Sequence, residues 1–329
     1  MRSAIIGLGC ISTLHRHGIA KAGGELVAVC DNDNEKLERF AAVGGKATPY
    51  TDYREMLKNE QLDVVHICTP HYLHAEMVIA ALGAGCNVLC EKPLCIREED
   101  IPRILAAEAA SGKHLGVCHQ NRYNESSIRA RAILEKDPAV SGFGFVVWNR
   151  DARYYASGAW RGKWETEGGG VMINQALHTL DLMLLLMGDP ETVEATCENR
   201  RLKGVIEVED TASALFRYGD GRMFNFYATN ANAADFPVEM VIRTAGKHIL
   251  NLTSATVTVD GQAAAFSYGK TEGGKGVWGN GHESLISDFY ACIEQDRPFP
   301  INGQEGARVV RAILGMYRSQ SKEIPLTKS

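Results

Sequence analysis

The chain begins with a short apolar run that ends in a glycine turn, Ile5-Ile6-Gly7-Leu8-Gly9. Apolar residues followed by Gly-x-Gly predict a buried strand that turns sharply into a helix, with backbone close enough to cradle a phosphate. Further apolar runs follow up to about residue 120, and helix-forming stretches lie between them. Strands that are apolar on both sides and separated by helices indicate a parallel sheet covered on both faces. The first part of the chain is therefore predicted to be a doubly wound α/β sheet that binds ligands at the carboxyl ends of its strands.

After about residue 120 the pattern changes to strands that follow one another without helices. Before these strands, the glycine run Gly168-Gly169-Gly170 leads into an apolar stretch, Val171 to Met187, that is predicted to be one long helix. Hairpin signals such as Gly219-Asp220-Gly221 separate the later strands. We therefore expect a first domain over residues 1–120 and an α+β domain over residues 121–329, with an open and mainly antiparallel sheet.

Composition and charge exclude several classes of protein. At 329 residues, 45% hydrophobic and 23% charged, the chain fits two globular domains. A formal net charge of −5 argues against a general affinity for nucleic acid or anionic membrane. No apolar run is long enough to span a bilayer, and the apolar N-terminus is needed as the first strand rather than as a signal peptide. The scattered cysteines indicate reduced thiols and a cytoplasmic protein, and the spacing of Cys86, Cys90 and Cys95 is not a zinc pattern, so no metal site is expected.

The glycine turn continues as Gly7-Leu8-Gly9-Cys10-Ile11-Ser12, a dinucleotide-binding fingerprint whose third glycine is replaced by serine. The first two glycines permit the tight turn and the close approach of the backbone to a pyrophosphate. Asp31 follows about 20 residues later, at the end of the next strand, where a carboxylate binds the adenosine ribose and repels a 2′-phosphate. The alternative is that Asp31 caps the helix that begins near Asn34. We therefore expect NAD as the cofactor, in preference to NADP.

Two further groups are candidate cofactor contacts at the same edge of the sheet. Thr69 and Pro70 end a later strand, and Pro70 has the fixed shape to pack against a flat ring. His74 begins the next helix, where a surface or capping role is the alternative to a cofactor contact.

The motif Glu91-Lys92-Pro93 follows another apolar strand. Oxidation of a secondary alcohol requires a hydride acceptor and a base for the hydroxyl proton. Pro93 disfavours helical geometry at Lys92, which fixes the lysine at the mouth of the crevice, and a desolvated amine there is a usable base. Glu91 is expected to hold Lys92 or the cofactor. The alternative is an ordinary lysine at a strand end.

Asn174, His178 and Asp181 form a second polar group, spaced by four and three residues along the predicted helix. This spacing places them on one helical face among apolar residues, and a buried polar stripe needs partners that a ligand can supply. His178 can orient a substrate or share a proton with Lys92. The alternative is a core histidine bonded to Asp181.

These motifs resemble those of the Gfo/Idh/MocA family, the glucose-fructose oxidoreductase and inositol dehydrogenase-like proteins. The resemblance covers nearly the whole length, and its motifs are Gly7-Leu8-Gly9, Cys68-Thr69-Pro70 with His74, Val88 to Pro93, Gln120-Asn121-Arg122-Tyr123, Trp160-Arg161, Gly168-Gly169-Gly170 and Asn174 to Asp181. It implies a Rossmann N-terminal domain that binds NAD, with Lys92 as the catalytic lysine and His178 as the active-site histidine. It also implies cofactor contacts from Asn121, Trp160 and Arg161, and a second domain that positions the substrate and makes oligomer contacts.

One position departs from the family pattern, because Asn174 stands where many members carry aspartate. Asparagine binds hydroxyl groups but cannot take up a proton at neutral pH. The role of base therefore falls on Lys92, and Asn174 becomes a residue that orients the substrate.

The resemblance implies that the substrate is a sugar, a polyol or a sugar derivative. Tyr154 and Arg161 belong to a polar and aromatic loop suited to pyranose rings and hydroxyl pairs, although a surface loop of charges is the alternative. His282 follows the glycine-rich segment 276–281 and is a second substrate-binding candidate, or equally the start of a structural helix.

The function expected from the sequence is an NAD-dependent dehydrogenase that acts on CH–OH groups, assembled as a homodimer or homotetramer. Two alternatives remain open. One is a glycosidase that uses NAD in a transient oxidation and elimination, and the other is a non-catalytic sugar or nucleotide sensor of the same fold.

Overall fold

A computed structural model describes residues 1–263 and 281–326, and every structural statement below concerns these residues. The chain forms two compact units. Met1–Gln120 and residues 281–307 form the first unit, and residues 121–263 and 308–326 form the second.

The first unit is built on a six-stranded parallel sheet with the order β3-β2-β1-β4-β5-β6. Its strands are β1 (Arg2–Ile6), β2 (Glu25–Cys30), β3 (Thr48–Tyr50), β4 (Val64–Ile67), β5 (Asn87–Cys90) and β6 (Leu115–Val117). The helices between them are α1 (Ser12–Lys21), α2 (Asn34–Ala42), α3 (Tyr53–Asn59), α4 (His74–Gly83) and α5 (Asp100–Ser111). Every residue of β4 and β5 is buried because helices cover both faces, which explains why these strands read as continuous apolar runs. The strand order reverses between β1 and β4, the place where such sheets bind ligands.

The second unit is built on a nine-stranded mixed sheet, in which β7 and β10 pair in parallel and the other neighbours are antiparallel. Its helices are α6 (Glu125–Leu134), α7 (Ala152–Ala156), α8 (Val171–Asn174) and α9 (Leu177–Met187). Its strands are β7 (Ala139–Val147), β8 (Thr192–Glu198), β9 (Thr211–Arg217), β10 (Met223–Thr229), β11 (Glu239–Thr244), β12 (Ile249–Thr253), β13 (Val257–Val259) and β14 (Gln262–Ala263). A parallel sheet followed by an open, mainly antiparallel sheet is the predicted fold class, which is confirmed.

The last elements are α10 (Gly281–Glu294), α11 (Gly303–Ser319) and the short edge strand β15 (Ile324–Pro325). Helix α10 belongs to the first unit, where it packs against α1. Gly18 makes this contact possible, because a Cβ atom there would overlap the side chain of Ile286. The first unit is therefore assembled from two separate stretches of the chain.

The nine-stranded sheet has one buried and one open face. Alternate residues of β10, such as Phe224 and Phe226, are buried, and the same alternation runs through β11 and β12. By the strand register, Met223 and Tyr227 share the opposite face with Phe143 of β7. These three side chains are 46%, 44% and 48% exposed, so the open face of the sheet carries apolar groups.

The predicted long helix from Val171 to Met187 is wrong, because the chain forms α8 and α9 with a break at Gln175 and Ala176. The amide of Ala176 bonds back to the carbonyl of Val171 at 2.8 Å, one residue beyond the regular helical partner. The side chain of Gln175 accepts a hydrogen bond from Asn230 and donates one to Tyr154. These tertiary hydrogen bonds outweigh the local helical preference, which alone was visible in the sequence.

In the described part of the chain, none of the helices combines the length and the apolar character that a membrane crossing needs.

Candidate active site and cofactor site

The glycine turn after β1 has the shape that a dinucleotide requires. Gly7 has a φ of +94°, and a Cβ atom there would lie 2.6 Å from the carbonyl oxygen of Cys68, so only glycine permits this approach of the turn to the end of β4. At Gly9, by contrast, nothing lies within 4 Å of where a Cβ atom would stand. Ser12 starts α1 and its hydroxyl donates to the Gly9 carbonyl at 2.6 Å. The open space beside Gly9, at the N-terminus of a helix, fits a pyrophosphate.

The remaining residues of the fingerprint line the same turn. Leu8 is half-buried and packs against the cluster that contains Val29, whereas Cys10 is exposed and Ile11 stands at the N-cap position of α1. The backbone of these residues, rather than their side chains, is therefore what the turn can offer to a phosphate.

Asp31 lies beside the glycine turn and does not cap α2. Its carboxylate accepts the Leu8 amide at 2.8 Å and both of its oxygens lie 3.2 Å from the Lys36 ammonium. Asp33 caps α2 instead, through a hydrogen bond from the Glu35 amide. The capping alternative is therefore wrong, and the contact of the Asp31 carboxylate with an adenosine ribose stays a prediction.

His74 is fully buried, although a surface or capping position was the alternative from the sequence. Its Nδ1 lies 2.6 Å from the Pro93 carbonyl oxygen and its Nε2 lies 2.9 Å from the Thr69 carbonyl oxygen. Burial lowers the pKa of His74, and these two hydrogen bonds oppose that shift. The His74 ring therefore connects the loops that follow β4 and β5. Its contact with a cofactor stays a prediction, and so do the cofactor contacts of Thr69 and Pro70, which are partly exposed.

Lys92 follows β5, is half-buried and is joined to Pro93 by a cis peptide bond. The Glu91 carboxylate accepts the Lys92 amide at 3.2 Å, and its other oxygen lies 2.9 Å from His15 Nε2 and 3.6 Å from His282 Nε2. Burial disfavours the charge on Glu91, but the hydrogen bond from His15 and the nearby ring of His282 outweigh it and hold the pKa of the carboxyl well below its usual range. Glu91 is therefore an ionised group that connects the Lys92 backbone to a histidine cluster.

His282 lies in the first turn of α10 and is buried beside Glu91. Residues 276–280 of the glycine-rich segment before it lie outside the described residues. Sequence reasoning missed His15, His66 and Tyr290, which extend the cluster; a histidine inside the apolar strand β4 was the available signal.

In the second unit, several of the predicted site residues surround the hydroxyl group of Tyr154. That oxygen accepts from Arg161 at 2.6 Å, from Gln175 at 2.8 Å and from Asn174 at 3.4 Å. The Arg161 guanidinium also lies 4.5 Å from the ring centres of both Tyr154 and Trp160, which is cation–π geometry. Burial raises the pKa of Tyr154. The loop therefore presents one rigid cluster of aromatic and hydrogen-bonding groups rather than scattered surface charges.

Sequence reasoning missed two buried glutamates: Glu167 binds Asn174 of this cluster, and Glu209 binds the start of α8. Glu167 accepts from the side chain of Asn174 and from the amide of Gly162. Glu209 accepts from the amides of Gly170 and Met172 at 2.9 and 3.0 Å and from the Tyr317 hydroxyl at 2.9 Å. Burial raises the pKa of Glu209 to about 7.

Arg122 is the buried partner of Asp181. Its Nε lies 2.8 Å from one carboxylate oxygen and its Nη2 lies 2.6 Å from the other, with both side chains almost fully buried. His178, by contrast, is half-buried in the first turn of α9. The Oδ1 atom of Asn121 is buried and accepts no hydrogen bond from the described residues, so it is an acceptor that a ligand can satisfy.

A glycine cradle beside a carboxylate, on a doubly wound sheet followed by an antiparallel α+β unit, defines a two-unit dinucleotide-binding protein. The model of an oxidoreductase family with an NAD-binding Rossmann fold matches residues 1–119, and that of a GFO/IDH/MocA C-terminal domain matches residues 143–249. The chain belongs to the Gfo/Idh/MocA family, and its first unit binds NAD. The family and cofactor predictions are confirmed.

Curated relatives and solved structures agree with this assignment. The chain is 30% identical over 227 residues to the 1-carboxy-3-chloro-3,4-dihydroxycyclo hexa-1,5-diene dehydrogenase of Comamonas testosteroni, a match that covers 67% of this chain and 56% of the relative. It is also 30% identical to the D-apiose dehydrogenase of Paraburkholderia graminis over 67% of this chain and 58% of the relative. The crystal structure of the WlbA dehydrogenase from Bordetella pertussis, in complex with NADH and UDP-GlcNAcA, superposes with a TM-score of 0.88 at 29% identity, covering 100% of this chain and 98% of that one. The matched regions thus span little more than half the length of these curated relatives.

Proposed function

We propose that the protein is an NAD-dependent dehydrogenase that oxidises a secondary alcohol of a sugar, polyol or sugar derivative, with Lys92 as the proton carrier. The observation that carries this proposal is the position of Lys92 at the carboxyl end of β5, on the same edge of the sheet as the glycine turn after β1. The relatives, named as dehydrogenases of sugars and related cyclic alcohols, support the substrate class.

Bound NAD supplies the hydride acceptor for this reaction. Gly7 and Gly9 form its pyrophosphate cradle, and Asp31 binds the adenosine ribose. Lys92 takes the hydroxyl proton at Nζ, from its half-buried position directly after β5. Glu91 fixes the backbone of Lys92 through the hydrogen bond to its amide.

The second unit provides the groups that bind the substrate. Asn174 and Tyr154 offer hydroxyl-binding groups, and Trp160 with Arg161 offers the flat, charged surface that suits a ring with hydroxyl pairs or a cofactor ring. Because Asn174 cannot carry a proton at neutral pH, the base role falls on Lys92 and Asn174 orients the substrate. His178 orients the substrate or shares the proton with Lys92. Asn121 and His282 complete the proposed contacts, with cofactor and substrate respectively.

A screen of sugars, polyols and their acids with NAD, followed by absorbance of the reduced cofactor, tests the activity. A dehydrogenase accumulates NADH in step with an oxidised product. Release of an aglycone without net NADH would instead indicate a glycosidase with transient redox, and binding without turnover across the panel would indicate a sensor.

Replacing Lys92 with alanine tests the mechanism. We expect Lys92→Ala to retain NAD binding and to lose at least about a hundredfold in kcat on the best alcohol of the panel, because a general base contributes about 10²–10⁴-fold. NAD binding is measured by fluorescence titration and kcat by initial rates. The control is Lys113→Ala, an exposed lysine of the same unit. A near-normal rate in Lys92→Ala would overturn the role of this residue.

We also propose that the protein is a cytoplasmic homo-oligomer. Its nine cysteines are free thiols, which suits a reducing compartment. The apolar open face of the nine-stranded sheet, which carries Phe143, Met223 and Tyr227, is the proposed contact between copies of the chain.

A further inference from the structure

Five buried side chains form one continuous hydrogen-bonded chain inside the first unit. Glu91 Oε1 lies 2.9 Å from His15 Nε2, and His15 Nδ1 lies 2.8 Å from His66 Nδ1. His66 Nε2 lies 2.9 Å from the Tyr290 hydroxyl, which lies 2.6 Å from the Ser3 hydroxyl. We call this set the Glu91–Ser3 chain. Each ring nitrogen of His15 and His66 has a partner within this set, so the five side chains form one unbroken series of contacts.

The Glu91–Ser3 chain is assembled from five separate parts of the sequence and is buried. Its members come from β1, α1, β4, the end of β5, and α10, and none is more than 6% exposed. Glu91 follows the carboxyl end of β5, whereas Ser3 lies near the amino end of β1. The Glu91–Ser3 chain therefore runs along the strand direction, from the carboxyl ends of the parallel strands, where Lys92 lies, toward their amino ends.

The order of protons along this chain follows from the ionised carboxylate at its end. A carboxylate only accepts, so His15 donates its Nε2–H to Glu91. When His15 carries this one proton, its Nδ1 accepts and His66 donates its Nδ1–H there. His66 in turn accepts at Nε2 from the hydroxyl of Tyr290. The Tyr290 oxygen then accepts from Ser3 at 2.6 Å, a shorter contact than the 3.4 Å from the Ser3 hydroxyl to the Met1 carbonyl oxygen. Every donor points toward Glu91, and the two histidines are opposite tautomers.

Burial of His66 supports this proton order, and it makes the loss of any hydrogen bond in the Glu91–Ser3 chain more destabilising. Desolvation lowers the pKa of His66 well below its usual range, so its ring is neutral and offers one donor and one acceptor. A buried polar atom that loses its partner is destabilised, since no water replaces the lost hydrogen bond. The position of each proton in the Glu91–Ser3 chain therefore depends on the positions of the neighbouring protons.

The spacing of some atoms in this region also resembles that of metal ligands. His15 Nε2, Glu91 Oε1 and Cys118 Sγ lie within 4.8 Å of one another. The His15–Glu91 separation of 2.9 Å, however, is a hydrogen-bond distance, whereas nitrogen and oxygen ligands of a tetrahedral zinc ion stand roughly 3.3 Å apart, given bond lengths of about 2.0–2.1 Å. The distances therefore favour the hydrogen-bonded arrangement.

We propose that His15, His66, Tyr290 and Ser3 form a proton-ordered chain that fixes the Glu91 carboxylate under the Lys92 backbone, and that these four are positioning residues for proton transfer at Lys92. The kinetic part of this inference rests on the proposed dehydrogenase function. The ordering itself does not, because it is a property of the resting protein.

Nitrogen-15 NMR of histidine-labelled protein at pH 8 reads the proton order directly, with signals assigned through His66→Gln. We expect His66 as the Nδ1–H tautomer and His15 as the Nε2–H tautomer. Finding both rings in the same tautomer, finding His15 as an imidazolium, or finding a stoichiometric metal ion in the purified protein would overturn the proposal.

The variant Tyr290→Phe keeps the ring and removes only the donor to His66. We expect it to leave His66 as the Nδ1–H tautomer, because Glu91 still sets the proton order through His15. We also expect it to lower kcat roughly tenfold on the best alcohol of the panel, with KM for NAD within about twofold, because a displaced catalytic group loses rate more than the distant cofactor cradle loses affinity. The control is Tyr218→Phe, another buried tyrosine, whose hydroxyl makes no hydrogen bond to the described residues. An unchanged kcat in Tyr290→Phe would contradict the positioning role, and the NMR result on the unmodified protein decides the ordering even if this variant does not fold. If the ordering fails while Lys92→Ala still abolishes turnover, the proposed function stands without it.

Discussion

At the scale of single residues, the pairing of Lys36 with Asp31 bears on cofactor choice. Asp31 was identified from its spacing to the glycine turn, but its charge partner was not, because a lysine on an exposed helix face carries no positional signal. The ammonium of Lys36 lies 3.2 Å from both carboxylate oxygens and is 36% exposed. It therefore weakens the repulsion that Asp31 would exert on a 2′-phosphate.

Removing this cation is expected to sharpen the preference for NAD. In Lys36→Ala we expect the ratio of NADPH to NADH dissociation constants to rise about three- to fivefold, since an exposed ion pair contributes up to about 1 kcal/mol. Fluorescence titration with each reduced cofactor measures the ratio. Arg39→Ala, on the same helix but paired with the exposed Glu35, is the matched control. A ratio that stays the same or falls in Lys36→Ala would refute the role given to Lys36.

At the scale of elements, the glycine run and α8 are held by a buried carboxyl group. Glu209 binds the amides of Gly170 and Met172 and the hydroxyl of Tyr317 in α11, so one side chain joins the start of α8 to another helix of the second unit. Gly170 is required here, because a Cβ atom would overlap the carbonyl oxygen of Glu209.

The raised pKa of Glu209 predicts how stability changes with pH. Folding raises this pKa from 4.5 to about 7, so the folded protein holds the proton more tightly than the unfolded chain. The contribution to the unfolding free energy is therefore fully present below pH 4.5 and is lost as the pH rises through about 7, by roughly 3 kcal/mol in all.

We expect the urea midpoint of the second unit to fall between about pH 5 and pH 8 in the unmodified protein and to change less over this range in Glu209→Gln, which cannot ionise. Glu165→Gln, at an exposed position, should keep the original pH profile. Equal pH slopes in Glu209→Gln and the unmodified protein would show that this carboxyl is not the titrating group.

Element by element, the sequence predicted the parts that local pattern determines. Apolar strands, the glycine turn and the Asp31 position follow from spacing and periodicity, and the structure has them. The break between α8 and α9 was missed because it depends on Gln175 meeting Tyr154 and Asn230, which are distant in sequence. The Glu91–Ser3 chain was missed for the same reason, since its members come from elements far apart along the chain.

At the scale of the whole molecule, the open sheet face governs the proposed assembly. Phe143, Met223 and Tyr227 lie on one face of β7 and β10 and are each close to half exposed. Apolar side chains concentrated on one open sheet are more stable when a second copy covers them.

A charge at the centre of this face is expected to disrupt the assembly. We expect Phe143→Glu to shift the protein toward the monomer in sedimentation velocity at micromolar concentration, because burying an uncompensated carboxylate costs several kcal/mol. The matched control is Val205→Glu, which alters a side chain that is 47% exposed but lies outside the sheet. An unmodified protein that sediments as a monomer, or a Phe143→Glu variant with unchanged mass, would rule out this interface.

The return of α10 to the first unit has a consequence for biosynthesis. The strands of the parallel sheet leave the ribosome well before α10 is translated, so α1 emerges without the helix that packs against it. Until then the surface around Gly18 stays uncovered, and His66 lacks the phenol that Tyr290 later brings. The nucleotide-binding half should therefore mature only after nearly the entire polypeptide has been made, and a fragment that stops at Gln120 should be a poor substitute for it.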